Sequence, residues 1–145
     1  MSDFLNKFNG TLYGLLQWSD WDRLRLSIGD EPVSRWFVYA VGEAPPDEPA
    51  SPHRLRLFLD EMDALLRRDH QESYLGIVYA DDMDNPSLIK IHDPNNLGSS
   101  CGSIGHKVLP GWVISLDSPV DLDSTTPLPG NRRRWWQSLA ERFAG

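Results

Sequence analysis

The sequence predicts an α+β domain in which a small antiparallel sheet of about three strands packs against helices. Three observations carry that expectation. Residues 52–69 hold one apolar stripe at helical spacing, and residues 73–80, 87–93 and 111–117 are runs rich in β-branched and aromatic side chains. The third is order. Helical patterns come first, strands follow, and one amphipathic helix closes the chain, so the two kinds of element are segregated rather than alternating. A chain of 145 residues is enough for a single domain, 1–145, with a core that needs no staples.

The first fifty residues read as short helices. In "SDWDRLRLSIG" Ser19 is the expected N-cap, Asp20 and Asp22 sit in the first turn where the helix dipole favours anions, and Gly29 ends the run. Trp21, Leu24 and Ile28 share one face, although Leu24, Leu26 and Ile28 also alternate as in a strand. Residues 31–41 carry two conflicting signals. Val33, Trp36, Phe37, Ala40 and Val41 follow the helical i, i+3, i+4, i+7, i+8 template, while the composition is that of a strand. The spacing favours a helix there. "EAPPDEPASP" then breaks all periodicity and reads as a surface loop.

The strongest helix follows. Ser51 caps it, Pro52 occupies its first position, and Leu55, Phe58, Leu59, Met62, Leu65 and Leu66 form the buried stripe. Arg54, Asp60, Asp63 and Arg67 face outward, with Asp63 and Arg67 four residues apart as an ion pair. "SYLGIVYA" and "SLIKIHD" should form a hairpin across "DDMDNP", whose composition is that of a turn. "GWVISLD" supplies the third strand. "RRRWWQSLAERFAG" closes the chain, with Trp135, Leu139 and Phe143 on one stripe of a helix.

Net charge is −7, so the average surface repels a phosphate backbone and nucleic acid is not the expected partner. A single cysteine rules out an intramolecular disulfide framework and fits a reducing, cytoplasmic setting. The apolar run "TLYGLLQW" is too short for a membrane span and lies between charged residues, which also argues against a signal peptide. Six tryptophans are many for this length. Most should fill the core, leaving Trp135 and Trp136 as the candidates for interface anchors.

The segment "DPNNLGSSCGSIGHK", residues 93–107, is where chemistry could reside. It lacks the G-x-x-x-x-G-K-[ST] order of a phosphate-binding loop, because His106 separates Gly105 from Lys107 and a strand follows instead of a helix. As a thiol-phosphatase loop it has lysine in place of the bidentate arginine. Cys101 with His92, Asp93 or His106 would make a nucleophile and base, or a partial metal site, yet no family signature surrounds the cysteine and no paired ligand spacing supports a metal. Asp81, Asp82 and Asp84 resemble a fragment of a calcium loop without its glycine and distal glutamate. No cofactor motif is complete.

What remains is a backbone-rich recognition surface. Its glycines, serines and asparagines demand little burial, and long connections between strands are uncommon unless they have a function. The expected role is therefore non-enzymatic binding of another protein through Asn95, Asn96, Gly98, Ser99, Ser100, Cys101, Gly102, His106 and Lys107, with Trp135 and Trp136 as a second contact. A small thiol enzyme or redox sensor using Cys101, and a metal carrier, are the alternatives. The stretches "YADDMDNPSLIKIHDPNNLGSSCGS" and "LPGWVISLDSPVDL" resemble a group of short bacterial proteins, some accompanying nitrogen-fixation genes. That resemblance implies an accessory or regulatory protein for a redox metalloenzyme and assigns no catalytic residue.

Overall fold

The computed structural model describes residues 3–29, 35–94, 110–122 and 130–143. Its organising element is the long helix α3, Pro52–Asp69, whose six-residue stripe is buried throughout. The predicted start is met: the Ser51 hydroxyl accepts from the Arg54 amide at 3.2 Å, and Pro52 opens the helix without wasting a donor. Each buried leucine, phenylalanine or methionine on that stripe contributes about 1.5–3 kcal/mol of transfer free energy.

Helices α2 (Trp18–Gly29) and α4 (Gly130–Phe143) pack beside α3, and a short helix α1 (Phe4–Phe8) packs against the strand Leu88–Ile91 instead. Five strands complete the described elements: β1 (Tyr13–Gly14), β2 (Phe37–Ala40), β3 (Val78–Ala80), β4 (Leu88–Ile91) and β5 (Trp112–Ser115). They form one antiparallel sheet in the order β1-β3-β4-β5-β2. The α+β expectation and the β3–β4 hairpin hold, and "GWVISLD" does supply a central strand.

The expectation of about three strands falls short by β1 and β2. Residues 37–40 form a strand, where spacing favoured a helix. Val38 and Ala40 enter the main core on one face of the sheet, and Tyr39 enters a second cluster on the other. A strand buried on both faces shows no polar alternation, so its apolar positions can mimic a helical period by accident. β1 is only two residues long, too short for any periodic signal. A smaller correction concerns α2, which starts at Trp18 rather than after Ser19; the Asp20 carboxylate accepts from the Gln17 amide at 3.1 Å and closes that end.

Register places Val38, Ala40, Val78, Ala80, Ile89, Ile91, Trp112 and Ile114 on the face covered by α2, α3 and α4. Tyr39, Leu88 and Val113 point to the opposite face, against Phe4 and Phe8 of α1. Helices α2 and α3 are joined at their rim by a charged clamp. The Trp21 indole N–H donates to Asp63 at 3.0 Å, and Arg67 reaches both Asp63 (2.9 Å) and Asp22 (2.7 Å). Arg67 also lies over the Trp18 ring at 4.8 Å, so α3 grips both ends of the first turn of α2. No helix among the described residues is long and apolar enough to cross a membrane.

Candidate functional site

The β4–β5 connection leaves the sheet at His92 and returns at Gly111, and these described ends form its root. Because β4 and β5 are antiparallel neighbours, exit and re-entry lie side by side. The His92 amide donates to Ile77 O at 3.0 Å, the Gly111 amide to Ile91 O at 2.9 Å, and the Val41 amide to Gly111 O at 3.0 Å. Residues at the ends of β3, β4 and β2 therefore grip the root through backbone bonds. Asp93 is buried at 4% exposure, and Pro110 is buried too. A Cβ on Gly111 would stand 3.3 Å from the Asp93 Cβ, so glycine here permits the two ends to close on one another.

Two kinds of surroundings meet at this root. On the helix-covered side Trp112, fully buried, pairs in register with Ile91 and receives Trp135 of α4 edge-on, ring centroids 5.5 Å apart. Trp136 sits beside it and meets Phe58 of α3 at 6.3 Å. Both indoles are half-buried against the main core. The two tryptophans expected as anchors thus spend one side on packing, and Trp135 connects α4 to the first residue of β5. On the α1 side, His92 stands edge-on to Tyr79 at 5.6 Å. Burial, together with the Lys90 ammonium, pushes the His92 pKa below its ordinary value of 6.5, so the ring is neutral at neutral pH. A neutral imidazole can accept a proton or coordinate a metal.

Asn95, Asn96, Gly98, Ser99, Ser100, Cys101, Gly102, His106 and Lys107 lie outside the described residues. Among the described residues no three His, Cys, Asp or Glu side chains gather as a metal site. The acidic β3–β4 turn has a structural task. Asp82 accepts from the amides of Asp84 (2.8 Å) and Asn85 (2.9 Å), while Asp81 accepts from the Ser87 amide and hydroxyl and from the Leu88 amide. Burial raises the Asp81 pKa, but the Ser87 and Leu88 hydrogen bonds outweigh it and the net shift is downward. These carboxylates fold the hairpin. Sequence reasoning named Asp93 only as a partner for Cys101 and missed its place with Gly111 and Trp112 at the root, because only the β-strand pairing brings the three together.

Comparison with known proteins finds no matching family model, no matching curated protein and no matching solved structure. The geometry is what bears on function.

Proposed function

We propose that this chain is a non-catalytic binding module that presents residues 95–107 to another protein. The observation that supports it most is the root: a Gly-, Ser- and Asn-rich segment leaves after β4 and returns before β5, where backbone hydrogen bonds to Ile77, Ile91 and Val41 fix both ends beside a buried Asp93. A rigid base lowers the entropic cost of ordering whatever it carries, which favours recognition by shape. Trp135, leaning on Trp112 at the same root, extends the surface onto α4. The resemblance of the second half of the chain points to a redox metalloenzyme as the class of partner.

The test is capture by the tagged full chain from native lysate, beside a variant with residues 96–105 replaced by alternating Gly and Ser. A stoichiometric partner held by the wild type and released by the variant supports the proposal. Equal retention by both contradicts it. A second reading, a thiol enzyme or redox sensor, draws on His92, whose neutral ring near the root could serve Cys101 as a base. It predicts a thiol pKa well below the free value of about 8.5.

A further inference from the structure

A second surface, independent of the β4–β5 connection, lies between α2 and the β3–β4 turn. Its floor is Leu15, Leu24 and Ala80, all buried, and its walls include Met83 and Pro86. Tyr13 pairs in register with Ala80, so its side chain stands on the same face of the sheet, 52% exposed, while Met83 is 46% exposed. Met83 thus exposes apolar surface on the wall of a groove with an apolar floor, and Tyr13, beside Ala80 in the sheet, exposes more on the same face. Isolated exposed hydrophobics are ordinary, but a pair beside a concave apolar floor marks a contact site.

The size of the groove limits its occupant. At about 170 Å³ it falls below the roughly 300 Å³ at which small-molecule sites begin, and it fits one side chain. Its walls are also preorganised. The Asp81 and Asp82 carboxylates tie the turn to its own amides, which fixes Met83 and Asp84 opposite α2 before anything binds. Charge then selects the partner. Asp20 and Asp84 line the groove, Asp81 and Asp82 stand in the same turn, and among the described lining residues Arg23 is the one cation. Its bond to Asp20 is 3.5 Å long with the arginine side chain 80% exposed, a weak pair that leaves the rim acidic.

We infer that this groove receives a single apolar side chain, of leucine or methionine size, from a partner polypeptide whose flanking residues are basic. The apolar residue displaces water from Leu15, Leu24 and Ala80, and Met83 adapts its flexible thioether to the guest. The flanking cations meet Asp84 and Asp20. Acidic segments and groups without an apolar centre are rejected by the same rim.

The chain has three methionines, which makes the test direct. With ¹³C-methyl methionine, Met83 reports the groove and Met62, fully buried on the inner face of α3, reports the core. The probes are acetyl-Arg-Leu-Arg-amide, acetyl-Glu-Leu-Glu-amide and acetyl-Arg-Gly-Arg-amide, titrated into the full chain. The first should move the Met83 methyl signal saturably while Met62 stays still, and the other two should leave both signals in place. Asp84→Asn should weaken that binding about threefold, the effect of losing one exposed ion pair. Asp84 is exposed and enters the turn's hydrogen bonds through its backbone amide, which Asp84→Asn keeps, so the variant should fold and remain informative. A Met83 signal unmoved at millimolar peptide, equal shifts from all three peptides, or unchanged affinity in Asp84→Asn overturns the inference.

Discussion

The two faces of the sheet are built very differently. One is covered by α2, α3 and α4, which together bury a large continuous cluster including Trp21, Trp36 and Trp112. The other is covered by the five-residue α1 and the turn after β5, where the Leu122 amide donates to the Tyr39 hydroxyl at 2.9 Å. The thick side owes its rigidity to long helices meeting along whole stripes. The thin side rests on a few aromatic contacts, Phe4 to Phe8 at 5.9 Å and Phe4 to Tyr39 at 6.4 Å, with the Lys90 ammonium 3.8 Å from the Phe8 ring. It also carries His92 and Tyr79. The lesson is a division of labour: the thick face holds most of the core, and the thin face adds a smaller aromatic cluster that shares its side of the sheet with polar groups near the root.

That contrast can be broken most sharply by paired truncations. Phe58→Ala, on the thick face, should cost about 4–5 kcal/mol, at the upper end of phenylalanine truncations, because Trp136 and α3 cannot collapse into the space. Phe4→Ala, equally buried, should cost about 3 kcal/mol, since a five-residue helix can shift to fill the gap. Urea unfolding of the two variants measures both. Equal losses would show that α1 is held as firmly as α3.

The α2–α3 clamp should give the next effect. Asp63→Asn leaves an acceptor for the Trp21 indole but removes the charge that faces Arg67 and Arg25. With Asp63 largely shielded and Arg67 44% exposed, the expected loss is about 1 kcal/mol, read by denaturant midpoint. Below it come the titrations. Asp22 has its pKa lowered by the hydrogen bond from Arg25, with Arg67 adding to it, and Asp81 is lowered as well. A carboxylate depressed in the folded state adds stability above its unfolded value of 3.8, and that stability drains as pH falls through the folded pKa. Asp22→Asn and Asp81→Asn should each flatten the acid limb of a stability-against-pH curve below about pH 4. His92 has the opposite origin and the same sign. Its folded pKa lies under 6.5, so the unfolded chain takes the proton first and stability falls as pH drops from 6.5 towards the folded value. His92→Gln should remove that slope, the smallest of these effects.

Legibility in the sequence followed the range of the interactions involved. Helix α3 was legible in full, from Ser51 through the stripe to the Asp63–Arg67 pair, because cap, period and i, i+4 spacing are all local. The β3–β4 hairpin was legible for the same reason. β2 was not, because its strand state depends on pairing with β5, some seventy residues later in the chain, and on burial at both faces. The root of the β4–β5 connection was half legible: composition marked the segment, while Gly111, Asp93 and Trp112 gained their roles only through strand pairing. The groove under Met83 was invisible, since it joins Leu15 and Leu24 to Ala80 and Pro86 across the sheet. Its acidic stretch was legible as the turn of the hairpin, with the calcium-loop likeness set aside, but not the way Asp81 and Asp82 accept from its backbone amides.

The central claim is that residues 95–107 act by shape and carry no activated nucleophile. Cys101 is the chain's one cysteine, so the rate of iodoacetamide labelling against pH reports that thiol alone. The account predicts an apparent pKa near the ordinary value of about 8.5, with Cys101→Ser retaining any captured partner. A pKa well below that value, shifted back upward by His92→Gln, would contradict it and make the segment a reactive site.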